Sequence, residues 1–142
     1  MLQFKEWMVS TINADTTLQG YLKDTHGNMS VYPVDVDVQP EQFPAITYMD
    51  VSDVILAVPQ GTHVGRIQLD IWSITSALEV EQIYNQLGVV FNFQHSQVAT
   101  QTISGTLWWV RQESAKDFHT PARRIWRKSI DLKYWANNTT NT

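Results

Sequence analysis

Hydrophobic and polar residues alternate strictly over residues 66–73, which predicts a β-strand that turns one face towards a core. Ile67, Leu69 and Ile71 occupy that face, whereas Trp72 shares the opposite face with polar residues. A ring of this size on the polar side of a strand needs a cover. The rest of the sequence therefore has to indicate what covers Trp72.

Helical spacing of apolar residues predicts three helices. Residues 2–12 carry apolar side chains every three or four positions, which is typical of a short amphipathic helix. Thr16 or Thr17 can cap a second, shorter helix that ends before a loop at residues 26–28. Ser76 and Glu79 form a capping box, which predicts a helix over about residues 76–92 with one apolar stripe.

Strand patterns in the first half of the chain predict an edge strand and a hairpin. Residues 31–38 are rich in β-branched side chains and are interrupted by Pro33, which suits an edge strand or an extended arm. Residues 43–51 and 64–73 are predicted to form a long hairpin, because a turn signal lies between them. The end of this hairpin is unusually apolar.

The second half predicts two more strands, over residues 103–112 and 124–135, joined by a polar loop that contains Asp117 and His119. Residues 136–142 have nothing to bury and are predicted to be disordered. The order of elements predicts an α+β fold with one mainly antiparallel sheet and two main helices packed on one face.

Length and composition favour one domain, over residues 1–135. A chain of 142 residues with 43% hydrophobic content can build one core, and a second domain would be cramped. The chain has no cysteine, which excludes a disulfide framework and a thiolate metal site. Its stability must therefore come from packing.

Two helices on one face leave the far face of the sheet without a cover. A strand phase set by Ile103 and Leu107 turns Trp109 inwards and places Trp108 on the far face beside Val110. Monomers rarely leave such rings wet, so we expect a partner subunit to cover them. The alternative is that the sheet curls, or that the arm over residues 31–38 folds back, and covers the rings within one chain.

The candidate subunit interface comprises the far-face residues, the apolar hairpin arm and part of a basic cluster before the last strand. These residues are Trp72, Trp108, Val110, Trp135, Val54, Ile55, Leu56, Val58, Arg123 and Arg127. The basic cluster could touch phosphate, but its members fall on both phases of the strand. A salt bridge to an acidic partner protein is the interpretation that we favour.

Charge and motifs argue against catalysis and nucleic-acid recognition. The net charge is −4, and its distribution leaves no basic groove. Four histidines are scattered without ligand spacing, and no nucleophile or phosphate-binding motif occurs, so we expect no enzyme activity, no cofactor and no metal. Asp35 and Asp37 could hold a cation, although an acidic pair that protects an edge strand is the simpler interpretation. No apolar run is long enough to span a membrane.

The layout resembles the tail terminator, or tail completion, proteins of long-tailed bacteriophages. The resemblance covers nearly the whole chain, and its most recognisable part is FP followed by a strand, then a strand ending in IWS before a helix. The segments that carry it are VYP at 31–33, FPAITY at 43–48, RIQLDIWS at 66–73, SALEVEQIYNQL at 76–87 and IDLKYW at 130–135.

The resemblance implies a structural virion protein that is not an enzyme. Such proteins form a ring, typically a homohexamer, on the capsid-proximal end of the tail tube, where they end tube polymerisation and join the tail to the head. The implied partners are sister copies, the tail tube protein and the head-tail connector or stopper protein. DNA passes through the lumen without specific binding, assembly takes place in the host cytoplasm, and no membrane is involved. The alternative is a head-completion, stopper or other neck subunit on the portal side.

Overall fold

The computed structural model describes residues 2–34, 42–56, 62–91, 102–103 and 106–138, with the side chains of most of them. Its helices are α1 (Leu2–Ala14), α2 (Thr16–Leu22) and α3 (Ala77–Phe91). Its strands are β1 (Val31–Pro33), β2 (Ala45–Leu56), β3 (Thr62–Ser73), β4 (Thr102–Ile103), β5 (Thr106–Thr120) and β6 (Ile125–Asn138). A short 3-10 turn, Pro121–Arg123, joins β5 to β6.

The strands form one sheet in the order β1-β2-β3-β6-β5-β4. β1 pairs with β2 in parallel, and the other neighbours are antiparallel. The ring of Phe4 in α1 stacks on Tyr134 with centroids 4.1 Å apart, and Tyr84 of α3 donates a hydrogen bond to Gln112. Both helices therefore pack on one face, here called the helix face. The predicted α+β class is confirmed.

The core lies between the helices and the helix face. Ile67, Leu69 and Ile71 are fully buried there, as their alternation predicts. Tyr134 lies over Gly65 so closely that a Cβ on this glycine would fall 2.3 Å from the tyrosine ring. A glycine is required at residue 65 because the tyrosine ring occupies the space of a side chain.

Polar side chains fix the starts of α2 and α3. The cap of α2 is Asp15, whose carboxylate accepts a 2.9 Å hydrogen bond from the amide of Leu18, so the threonine caps predicted for this helix are wrong. The hydroxyl of Ser76 accepts from the amide of Glu79 at 3.1 Å, as a capping box requires. The Glu79 carboxylate accepts from the hydroxyl of Ser73 and thereby ties α3 to the end of β3.

The predicted hairpin is present and longer than expected. β2 continues to Leu56 and β3 begins at Thr62, so most of the apolar segment before the turn is strand. β1 is an edge strand that ends at Pro33. Residues 35–38, the rest of the segment that the sequence predicts as an edge strand, lie outside the described residues.

The prediction for the last strands is wrong at both ends of β5. The chain reverses between Ile103 and Thr106, which pair with each other, so Ile103 belongs to a separate strand. β5 continues to Thr120 through the segment predicted to be a polar loop. β6 extends to Asn138, three residues into the predicted tail, and residues 139–142 lie outside the described part of the chain.

Candidate subunit interface

The sheet face opposite the helices, here called the open face, consists of rows of cross-strand neighbours. Residues paired across neighbouring strands lie on the same face, so the register assigns side chains to rows that cross β3, β6 and β5. Most of these rows are polar or charged. The expectation of an apolar far face is therefore wrong for its centre and holds only near the ends.

Trp72 is covered within its own chain. Its indole Nε1 donates a 2.9 Å hydrogen bond to the hydroxyl of Thr47, and the guanidinium of Arg127 lies 4.8 Å from the ring centroid. The same guanidinium lies 5.1 Å from the ring of Phe118, so it is sandwiched between two aromatic rings from neighbouring strands. Only 6% of Trp72 is exposed, which leaves little of it for a partner.

A buried carboxylate explains the position of Arg127. Asp70 lies beside Trp72 on the open face. Its carboxylate accepts hydrogen bonds from the guanidinium of Arg127 at 3.2 Å and from the side-chain amide of Gln68 at 3.0 Å. Both charges are largely removed from solvent, with side-chain exposures of 16% for Arg127 and 2% for Asp70. The salt bridge predicted between Arg127 and a partner protein is made within the chain.

Val110 is a core residue, and its prediction as an interface residue is wrong. It pairs with Tyr134 and is 1% exposed on the helix face. The strand phase was set from Ile103 and Leu107 as if they shared a strand, and the reversal before β5 breaks that phase. In the true register Trp109 pairs with Trp135, and Trp108 pairs with Ala136. The side chain of Trp108 lies outside the described part.

Three basic residues cross the centre of the open face. Arg66 of β3 pairs with Lys133 of β6, which pairs with Arg111 of β5. Glu113 accepts a 2.9 Å hydrogen bond from Arg111, and this bond, opposed by slight burial and aided by the charges of Arg66 and Lys133, lowers the pKa of Glu113. Like charges paired across strands repel, so a nearby carboxylate such as that of Glu113 stabilises this row.

An apolar row lies beside the basic row, towards the β2–β3 turn. Val54, Val64 and Trp135 are cross-strand neighbours on the open face, and Val54 and Trp135 are 54% and 44% exposed. Ile55 lies on the other face of the same strand and is 66% exposed. We call the paired segments 51–56 and 62–64 the arm. The structure thus brings three of the predicted residues, Val54, Ile55 and Trp135, to one corner of the molecule.

Of the remaining predicted residues, one lies elsewhere in the molecule and two fall partly or wholly outside the described part of the chain. Arg123 is exposed in the turn before β6, at the opposite end of the sheet. Leu56 is the last residue of β2, but its side chain lies outside the described part, as does the whole of Val58. The arm is therefore represented by Val54 and Ile55.

Two exposed apolar residues in the strands escaped the sequence prediction. Val51 is 52% exposed at an irregularity in the pairing of β2, and Phe118 is 43% exposed in β5. Phe118 was hidden by the assignment of its segment to a polar loop. Residues 114–120 show no alternation of apolar and polar side chains, so no local pattern marks the segment as a strand.

A cleft of about 380 Å³ lies between α3 and the far end of β5 and β6. At its edge Lys128 is buried and donates hydrogen bonds to Glu81 and Asp117 at 2.5 and 3.0 Å. Burial alone would lower the pKa of Lys128, but the two carboxylates outweigh it and raise the pKa. An ammonium held charged in this way serves as a structural ion pair, since a general base needs a lowered pKa.

The described part of the chain contains no cluster of three or more ligand side chains that could hold a metal ion. No helix among the described residues is long and apolar enough to cross a membrane. The described surface presents an apolar corner, a basic row and the ion pairs of Arg127 and Lys128.

Comparison with solved structures finds a similar fold in a virus-like particle. A chain in the structure titled "Virion of native gene transfer agent (GTA) particle" superposes with a TM-score of 0.61 at 12% sequence identity. The match covers 91% of this chain and 90% of that chain. No protein-family model matches the sequence, and no curated protein matches it. The similarity is one of fold.

Proposed function

We propose that this protein is a structural subunit of a phage-like virion, in which copies form a ring at the capsid-proximal end of the tail tube. The ring ends tube polymerisation and joins the tail to the head connector, and the subunit has no enzymatic activity. Residues 1–135 act as one domain in this ring. The partners are sister copies, the tube protein and the connector or stopper protein.

The observation that carries the proposal is the likeness to a virion chain over nine tenths of both chains, 91% and 90%. A match of this extent includes the whole arrangement of helices and sheet, so it is unlike a shared motif of two or three elements. Fold alone does not fix function. The exposed surface must therefore support the same conclusion.

The surface supports assembly because apolar side chains are exposed at one corner of the sheet. Val54 and Trp135 lie there on the open face and Ile55 lies on the other face, and exposed apolar surface of this kind is typical of protein contacts. The net charge of −4 agrees with a lumen that lets DNA pass without holding it.

Negative-stain microscopy of the purified protein, alone and mixed with the tail tube protein of the same particle, tests the proposal. We expect closed rings and tubes that carry a cap at one end. Tube length should fall as the molar ratio of this protein to tube protein rises, since a terminator stops growth.

Two other outcomes would contradict the proposal in different ways. Monomers at all protein and salt concentrations, with and without tubes, would exclude a ring subunit. Rings that bind the portal complex and leave tube length unchanged would place the protein on the portal side as a stopper.

A further inference from the structure

Two strands of the sheet have edges that no described strand covers along most of their length. β1 pairs with β2 only at residues 46–48, which leaves residues 49–56 open on that side. β4 pairs with β5 only at residues 106–107, which leaves residues 108–120 open. Within the described residues, both edges present backbone N–H and C=O groups that are ready to pair.

The side chains along both open edges are exposed as well. Every residue from 51 to 55 and from 113 to 120 is exposed, which is unusual for strands in a six-stranded sheet. The first segment includes Val51, Val54 and Ile55, and the second includes Phe118. Strands with an open edge and exposed apolar side chains favour the addition of another strand.

We propose that these two edges pair with each other between neighbouring copies, so that the sheet of one subunit continues into the next. The inference rests on the proposed function, because it names the contact by which the ring closes. β2 and β5 run in opposite directions in the sheet, so they meet as antiparallel strands when one copy follows another. The two edges are different surfaces, and head-to-tail contacts of this kind close into rings.

The short strands β1 and β4 determine how far neighbouring copies are displaced. Within one subunit Val54 and Trp109 lie in the same cross-strand row, which also contains Val64 and Trp135. The β1 strand of a neighbouring copy would overlap β5 unless that copy is displaced along β5. A displacement of about six residues, each about 3.3 Å along the strand, moves its β1 past Thr120. Displacements by an even number keep the helix faces of both copies on one side.

This displacement agrees with the geometry of closed sheets. Six residues correspond to roughly 20 Å along the strands, and the four long strands of a subunit span about 19 Å across the sheet. The strands would then tilt by about 45° from the ring axis, which is the tilt found in closed β-barrels. The six-residue register places Val54 opposite Lys116, and the eight-residue register places it opposite Phe118.

Cysteine cross-linking tests the pairing directly, because the chain has no cysteine of its own. The double variants Val54→Cys with Lys116→Cys and Val54→Cys with Phe118→Cys are oxidised after assembly and separated on non-reducing gels. We expect one of them to give a ladder of cross-linked species up to the copy number of the ring. The matched control is Val54→Cys with Ala115→Cys, whose side chains would lie on opposite faces and should stay uncross-linked.

The outcomes separate this inference from the proposed function. Rings in the microscope that give no ladder with either pair would overturn the edge pairing and leave the ring intact. A ladder from the Ala115 control as strong as from the test pairs would also overturn it, since the register would then be unspecific. Absence of rings under all conditions would overturn both. A ladder confined to one register, with rings present, supports the inference.

Discussion

The indole Nε1 of Trp72 donates a 2.9 Å hydrogen bond to the hydroxyl of Thr47 across two strands, and both residues are buried on the open face. A tryptophan at the end of a polar strand face is thus explained within one chain. The hydrogen bond satisfies its polar atom, and Arg127 covers its ring. Trp135 lies on the same face and is 44% exposed.

We expect Trp72→Ala to lower the free energy of unfolding by about 3–5 kcal/mol, as for other buried aromatic residues. Trp72→Phe keeps a ring but loses the donor to Thr47, so the loss should be about 1 kcal/mol from the hydrogen bond and somewhat more from packing. Trp135→Ala is the control and should cost less than Trp72→Ala, because 44% of Trp135 is exposed and 6% of Trp72. Urea denaturation measures all three, and an unchanged stability of Trp72→Ala would place this ring at an interface.

Gly65→Ala should destabilise the subunit by about 1–3 kcal/mol, because the new methyl group would overlap the ring of Tyr134. The ring cannot move away easily, since it is stacked on Phe4 in the core. Gly20→Ala is the matched control: nothing lies within 4 Å of its added Cβ, and alanine in a helix should stabilise by about 0.5–1 kcal/mol. Thermal denaturation compares the two, and equal shifts of the same sign would argue against the close packing at Gly65.

The sequence predicts the helices and the β2–β3 hairpin because their patterns are local. The stripe of α3 and the alternation of Ile67, Leu69 and Ile71 depend on neighbours a few residues away. The chain reversal before β5 has no such signal, since Ile103 and Leu107 fit one strand by periodicity. An error of one residue in phase exchanges the two faces, and it moved Val110 from the core to the surface in the prediction.

The sequence predicts only part of the candidate interface, because only its local patterns can be read from one sequence. Val54, Ile55 and Trp135 could be recognised because their hydrophobicity is out of place in exposed strands. The cover of Trp72 depends on Arg127 and Thr47, which lie 55 and 25 positions away along the chain. Pairing across strands decides such contacts, and no local pattern in one sequence contains that information.

The stability of the fold should depend on Lys128 at alkaline pH. The pKa of Lys128 is raised in the folded protein, because the bonds to Glu81 and Asp117 outweigh the effect of its burial. A raised pKa means that the folded state holds the proton more tightly than the unfolded state. The stabilisation is therefore complete below the ordinary value of 10.5 and is lost as pH rises through the raised pKa.

Comparison of the wild type with Lys128→Met isolates this contribution. The difference in free energy of unfolding between them should be constant near neutral pH and shrink as the pH rises above 10.5. Tyr134, whose pKa burial raises, also loses stability as pH rises, but it is present in both proteins and cancels. The double variant Glu81→Gln with Asp117→Asn should reverse the pH dependence of Lys128, because burial without the two carboxylates lowers its pKa. A difference that stays constant to the highest pH would show that the carboxylates do not hold the proton.

The last prediction concerns the arm. Val54→Thr with Ile55→Thr keeps β-branched side chains in β2 and removes only exposed apolar surface, so the free energy of unfolding should change by no more than about 0.5 kcal/mol. If a neighbouring copy buries these side chains, each lost contact should cost at least about 1.4 kcal/mol, which corresponds to a tenfold weaker association. Sedimentation velocity over a range of protein concentrations measures the ratio of rings to subunits.

The matched control carries the same kind of change on α3, where Leu78 and Val89 are 65% and 72% exposed. Leu78→Gln with Val89→Thr should leave both the fold and the rings intact, because neither residue belongs to the two open strand edges. Loss of rings in the α3 variant, with normal assembly of the arm variant, would move the contact between copies to the helix layer. Loss in both would mean that assembly responds to surface hydrophobicity in general, and the arm would then have no special part in it.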